Sequence, residues 1–239
     1  MKKSAIFKLI YGVIILFSII TVVTIISVIY TGYKNAYFEL SFCIDDTCLS
    51  RAKSYYGNII AFYTGSVEVL AAIATSLGII VAAKTFKNTA DTNAFNSHIS
   101  HFKTFSDYLS FEVSKKDKVK LSAINVFDWF NLIFEDSISG SIDVSDNYFK
   151  ALKDIENEIE KTNKKATTAS SGPFRHAEHQ QRMRPVFKAL GIEIEHYPKN
   201  DYWIIEDELI SLIDSINQAF CQRPKRVGKI CSRKYFEKS

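Results

Sequence analysis

Histidines are the residues of this chain best suited to metal or acid–base chemistry. They form two pairs with a spacing of three residues: His98 and His101, and His176 and His179, with Glu178 inside the second pair. On a helix this spacing puts both rings of a pair on one face, where they could supply half of a metal site. Neither pair has a third ligand at a suitable spacing, so we expect no metal and no other cofactor.

Motifs for other kinds of catalysis are absent from the sequence. There is no GxxxxGK[ST] phosphate loop, no GxGxxG, no HExxH and no GxSxG, and only 9 glycines are present. Cys221 and Cys231 lie near basic residues, which could lower the pKa of a thiol, but we interpret them as ordinary cytoplasmic thiols. We therefore predict a protein that is not an enzyme and has no catalytic residues.

The stretch 59–83 is apolar over 25 residues and carries one charge, Glu68. At about 1.5 Å per residue, a helix of this length crosses a hydrocarbon core of about 30 Å. An acid inside a membrane usually faces a bundle interior or a water-filled path, which makes Glu68 a candidate functional residue. A protonated carboxyl that only packs against neighbours is the alternative, and the sequence leaves both open.

One face of this predicted span carries small and polar side chains, and the bulky ones lie opposite. Such a face lets a second helix approach closely, and close packing with side-chain hydrogen bonds drives helix association in lipid. We predict that it is the surface of assembly, or of a pore, in a homo-oligomer within the lipid bilayer. The residues of this small face are Ala61, Gly65, Glu68, Ala72, Thr75 and Ser76.

A second uncharged stretch, 9–30, follows a short basic start and is long enough to be a retained anchor. Two spans put both termini on one side, and the balance of flanking bases favours the cytoplasm for them. The predicted segments are a cytoplasmic N-terminus (1–8), transmembrane helix 1 (9–30), a periplasmic loop (31–58), transmembrane helix 2 (59–83), a helical cytoplasmic domain (84–221) and a basic C-terminal tail (222–239).

Cys43 and Cys48 lie in the predicted loop, in the run FCIDDTCL. In an oxidising compartment a disulfide closing this short turn is expected, whereas in a cytoplasmic loop the two would be free thiols. Because the topology puts the loop outside the cytoplasm, we predict a Cys43–Cys48 disulfide.

The pattern beyond residue 84 predicts an all-α domain. Apolar residues at helical spacing continue the second span to about Val113, and the stretch 119–135 reads as one buried helix. Ser145 is placed to cap a third helix, and Asp201 opens a last amphipathic helix. Each has one apolar stripe: Tyr148, Leu152, Ile155 and Ile159 in the third helix, and Ile205, Leu209, Leu212, Ile213, Ile216 and Phe220 in the last. Residues 166–172 are predicted to form a loop, and the alternating run IEIEHY a lone strand.

The net charge of +4 is concentrated at the C-terminus. We predict that this tail binds an anionic partner, and nucleic acid or anionic lipid head groups would both suit it. A solvated tail without a partner is the alternative. The bases proposed for binding are Arg223, Lys225, Arg226, Lys229, Arg233 and Lys234.

The order of these features resembles a known family. A short basic start, two spans, the FCIDDTCL loop, a small-residue second span and the helix FNSHISHFKTFSDYL resemble the two-transmembrane effector proteins encoded beside bacterial retrons. Retrons are anti-phage systems built on a reverse transcriptase and its RNA-linked DNA. The resemblance implies an inner-membrane toxin that the reverse transcriptase complex restrains and that halts growth on phage attack. It supplies no catalytic residues.

The sequence therefore leaves two main candidate functions. The first is a toxic membrane effector whose spans assemble into a leaky or pore-like oligomer. The second is a membrane anchor or adaptor that recruits a nucleoprotein complex through its cytoplasmic domain and basic tail. A membrane-bound enzyme that uses one of the histidine pairs is the least favoured.

Overall fold

The protein is all-α in the computed structural model, which describes residues 3–39, 45–167 and 175–235. Its chain contacts divide it into two compact units, one up to Asn88 and one from Thr89 onward, and the second helix contributes to both. The helices are α1 (Lys3–Lys34), α2 (Asp46–Ser114), α3 (Val126–Ile133), α4 (Asp146–Thr167), α5 (His176–Lys188) and α6 (Lys199–Phe220), with short 3₁₀ turns at Tyr37–Glu39, Leu121–Ala123 and Ser137–Ser139.

The first unit contains α1 and the first part of α2. Both helices include a window long and apolar enough to cross a membrane, and within these windows 0% and 6% of the residues are buried, respectively. A core helix of a water-soluble domain would bury its apolar face, so the exposure of these side chains agrees with a lipid environment.

Both helices extend beyond the predicted spans. α2 begins at Asp46, where Asp45 accepts a hydrogen bond from the Cys48 backbone N–H at 3.1 Å and acts as a helix cap. Much of the predicted loop 31–58 is therefore helical, because α1 continues to Lys34 and α2 already begins at Asp46. The membrane boundaries themselves stay a prediction.

Gly32 shows how tightly the end of α1 is packed. A Cβ atom at this position would lie 2.5 Å from the ring of Phe38 and 2.9 Å from the hydroxyl of Tyr56, so a larger residue would displace both. Tyr37 stacks on Tyr55 with ring centroids 4.1 Å apart. Aromatic contacts thus hold the turn after α1 against the start of α2.

The second unit has a single core that α2, α3, α4, α5 and α6 share. Phe130 of α3 lies at the centre of an aromatic cluster, with ring centroids 5.2–5.5 Å from those of Phe102, Phe105 and Phe134. The predicted apolar stripes of α4 and α6 face this core. Their buried members are Tyr148, Leu152, Ile155, Ile159, Ile205, Leu209, Leu212, Ile213 and Ile216.

Several predicted boundaries are confirmed here. α2 ends at Ser114, one residue from the predicted end. Ser145 caps α4, since its hydroxyl accepts a hydrogen bond from the Tyr148 N–H at 3.0 Å. The predicted loop 166–172 differs at its start, because Ala166 and Thr167 belong to α4, and its remainder lies outside the described residues.

Two predictions were wrong. The stretch 119–135 is not one helix, because the Asn125 side chain accepts from the Asp128 N–H and starts α3 afresh at Val126. The IEIEHY run makes only an isolated bridge between Ile192 and Ile124 within the described residues. Gly191 precedes it at φ +77°, a conformation that favours glycine, and accepts from the Asn125 N–H at 2.8 Å.

Candidate functional site

The small face of α2 is largely unpartnered within the first unit. Glu68, Ala72, Thr75 and Ser76 are exposed. The hydroxyls of Thr75 and Ser76 donate to carbonyl oxygens of their own helix at 2.9 Å, so neither requires a second helix for a hydrogen bond. In the part of the chain that the structure describes, the Glu68 carboxylate has no hydrogen bond or ion pair. This face is therefore open to another molecule.

Ala61 and Gly65 occupy a different position from the other small-face residues. Both line an open groove of about 460 Å³, whose opposite wall includes Leu16 and Ile20 of α1. A Cβ atom built on Gly65 would meet nothing within 4 Å, so the single chain has room for a side chain there.

The two histidines of the first pair have different neighbours. His98 shares a hydrogen bond of 2.8 Å with the Ser137 hydroxyl, whereas His101 lies among the rings of Phe130, Phe134 and Phe220. The buried Nδ1 of His101 has no hydrogen-bond partner among the described residues. Burial lowers the pKa of His101, and the neighbouring His98 lowers it further. Both half-buried rings therefore pack against the core of the second unit.

His179 of the second pair belongs to a buried polar network. His179 Nδ1 lies 2.8 Å from the Thr162 hydroxyl, and its Nε2 lies 2.8 Å from Oε1 of Glu206. All three side chains are 0% exposed. His176 lies nearby. Burial, the largest of several influences, lowers its pKa. No group of three or more metal-ligating residues occurs in the ranges that the structure describes.

Thr162, His179 and Glu206 have the order of a nucleophile, base and acid in acyl-transfer enzymes. Their burial prevents a substrate from reaching the Thr162 hydroxyl, which also donates to the Glu158 carbonyl oxygen at 3.0 Å. The arrangement therefore serves to hold α4, α5 and α6 together, since one residue comes from each of these helices.

The structure differs from the predicted basic tail at Arg233. Its side chain is 8% exposed, and its guanidinium pairs with two acids of α6, Glu206 at 3.3 Å and Asp207. Tyr235 is also buried, and its hydroxyl donates to Glu206 at 2.9 Å. Arg233 is thus neutralised inside the second unit rather than available to an external anion. This happens because its positive charge compensates the buried carboxylate of Glu206.

Other predicted tail bases remain at the surface. Arg223, Lys225, Arg226 and Lys229 are exposed, and none forms an ion pair within the described part of the chain. Lys234 is exposed too, while its backbone N–H donates to Asn163. Binding of an anionic partner at these residues stays a prediction.

The cysteines fall into two groups. Cys221 is fully buried, and burial raises its pKa to about 12; burial also raises the pKa of Cys231. Neither is therefore an activated thiol. Cys48 takes part in a disulfide, but Cys43 lies outside the described residues, so the Cys43–Cys48 pairing stays a prediction.

The sequence reasoning missed the residues at the centre of this network, Thr162, Glu206 and Asp207. One signal was available: Glu206 lies four residues after Tyr202 and three before Leu209, on the apolar side of α6. An acid in an apolar helical stripe requires a buried partner, but nothing in the spacing identified Arg233 as that partner.

The fold and these sites define a class of protein: a membrane protein with two apolar helices and an all-α domain. A family model described as the Retron Ec48 antiviral membrane protein matches residues 53–224. The chain belongs to this family of retron antiviral membrane proteins. It is similar to the Retron Ec48 transmembrane protein of Escherichia coli, with 26% identity over 198 residues, 83% of this chain and 84% of the relative. No solved structure matches the chain.

We expect Arg233→Ala to lower the free energy of unfolding of the second unit by about 3–5 kcal/mol, because it leaves a buried carboxylate without its partner. The chain contains 2 tryptophans. These are Trp129 and Trp203, both buried in the second unit, so their fluorescence during urea unfolding measures this unit alone. Arg226→Ala is the matched control, and a loss of equal size there would contradict the assignment.

We expect His101→Phe to make the melting temperature less dependent on pH. The folded protein disfavours protonated His101, so an unfolded chain binds more protons below the usual histidine pKa of about 6.5. Stability should therefore fall as pH drops below about 6.5 in the wild type and less steeply in the variant. Tryptophan fluorescence melts between neutral and mildly acidic pH test this, and parallel curves would refute it.

Proposed function

We propose that this protein is an inner-membrane toxic effector of a retron anti-phage system that acts by abortive infection. In this proposal both termini lie in the cytoplasm, and the spans perturb the membrane or form a pore after release from a reverse transcriptase with its RNA-linked DNA. Membership of the retron antiviral membrane protein family supports the defence context, and the two unburied apolar helices support a membrane target.

The observation that carries the proposal is the exposed small face of α2 with Glu68 in its middle. A carboxylate facing hydrocarbon alone is costly, so Glu68 requires either a water-filled path or a hydrogen-bonding partner helix. A homo-oligomer built on this face supplies both. The effect would be physical disturbance of the bilayer, without a chemical reaction.

A membrane anchor or adaptor is the second candidate. The exposed bases of residues 223–229 favour it, because they would attract a nucleoprotein to the membrane by charge alone. The two functions differ in one measurable property, which is whether the protein changes the permeability of the membrane.

Membrane potential tests the proposal directly. The protein is expressed alone, together with its genomic neighbours, and in phage-infected cells, while a potential-sensitive dye is followed. We expect depolarisation without the neighbours and after infection, and none in uninfected cells that contain the neighbours. Absence of depolarisation in every state would leave the adaptor function.

The small face is tested by Gly65→Leu and Ala72→Leu. Because the single chain has room at Gly65 and exposes Ala72, a loss of cross-linked oligomers would come from a second copy of the chain. Ala74→Leu, which adds the same bulk at an exposed position outside the small face, is the control. Oligomers and membrane damage that persist in both small-face variants would rule out assembly through this face.

Glu68 is tested by comparing Glu68→Gln with Glu68→Leu. If an ionised carboxylate lines a path, Gln should reduce conductance or cation preference while oligomers persist. If the protonated carboxyl bonds to a neighbouring helix, Gln should have little effect and Leu should weaken assembly. Conductance in planar bilayers and cross-linking in membranes measure the two properties.

A further inference from the structure

The last described stretch of the chain, residues 222–235, crosses the surface of the second unit without regular secondary structure. We call it the C-terminal strap. Its Ile230 N–H donates to the Asp214 carboxylate of α6 at 2.9 Å, and the Cys231 thiol lies 3.8 Å from the Glu156 carbonyl oxygen of α4. The strap thus passes from α6 to α4 before its final residues.

Asn163 of α4 holds the strap backbone on both sides of Arg233. Its amide nitrogen donates to the Ser232 carbonyl oxygen at 3.0 Å, and its amide oxygen accepts from the Lys234 N–H at 2.7 Å. One side chain thus bonds to the main chain on both sides of Arg233, where the chain enters a turn at Lys234 and Tyr235. Such a contact recognises backbone atoms and does not depend on the side chains of the strap.

Two side chains of the strap, those of Arg233 and Tyr235, make specific contacts. The Arg233 guanidinium meets the carboxylates of Glu206 and Asp207, and a planar fork of donors suits two carboxylates better than an ammonium does. The Tyr235 ring lies 4.8 Å from the His179 ring and 5.4 Å from that of Trp203, measured between centroids. Its hydroxyl donates to the same Glu206 carboxylate at 2.9 Å.

Main-chain hydrogen bonds beside pockets for side chains are a means by which domains recognise peptides. We propose that Asn163, His179, Trp203, Glu206 and Asp207 form a recognition site for a peptide with arginine followed two residues later by tyrosine. The chain's own strap occupies the site reversibly. A strap from a second copy carries the same residues and fits the same site.

The strap contacts the second unit through both apolar and polar groups. Tyr235 belongs to the core, and Val227, Ile230 and Cys231 pack against it, whereas the other residues from Gln222 to Lys229 are exposed. When Arg233 leaves, the buried Glu206 loses a positive charge that only another cation can replace. The empty site should therefore bind free guanidinium compounds or the strap peptide in trans.

Chemical rescue tests the site in the full-length protein. In Arg233→Ala, millimolar ethylguanidinium should recover at least half of the lost melting temperature, measured by tryptophan fluorescence. Ethylammonium at the same concentration should recover less, because it lacks the fork of donors. The wild type and Arg226→Ala should respond to neither compound, since their pocket is occupied. If Arg233→Ala does not fold, it is refolded from urea with and without ethylguanidinium, and recovery of the native tryptophan signal only with the compound supports the site.

A labelled peptide of residues 229–235 tests recognition in trans. It should bind the full-length Arg233→Ala protein, by fluorescence anisotropy, and not the wild type. Peptides carrying Arg233→Lys or Tyr235→Phe should bind about tenfold to a hundredfold more weakly, the range expected when a hydrogen bond to a charged group is lost. If neither ethylguanidinium nor the peptide affects the variant, the contact is a fixed internal ion pair and the proposal is overturned. These results do not depend on whether the protein permeabilises membranes.

Discussion

The second unit depends on one buried carboxylate. Glu206 is 0% exposed, and in water a carboxylate is far better solvated than in a protein interior. The buried Glu206 carboxylate is therefore stable only because of the groups that surround it. These are His179 of α5, and Arg233 and Tyr235 of the C-terminal strap. Through these partners a single acid of α6 brings together two helices and the end of the described chain.

The first unit follows a different constraint. Its helices expose bulky apolar side chains along most of their length, an arrangement that is stable only where the surroundings are apolar as well. In such surroundings the hydrophobic effect no longer drives helices together, and small side chains and polar groups decide which faces meet. The exposed stripe that contains Glu68 is the part of this unit with those properties.

The proposed function and the proposed peptide site use different physical interactions. Membrane damage would depend on how α2 associates with other copies in lipid, where close packing dominates. Strap binding depends on charge pairing inside a folded domain, where a buried acid selects for arginine. The two proposals therefore give the chain two independent ways to change state, one in the membrane and one in water.

The sequence by itself determined the all-α class, the two apolar helices, the cap at Ser145 and the apolar stripes of α4 and α6, because these follow from local periodicity and composition. It also contained the features that resemble the retron family. It did not determine that Arg233 pairs with Glu206, which lies 27 residues away in the chain, or that Asn125 interrupts the helix predicted over 119–135. Only the tertiary structure decided these points, because the ion pair and the bridge between Ile124 and Ile192 depend on which segments meet in space.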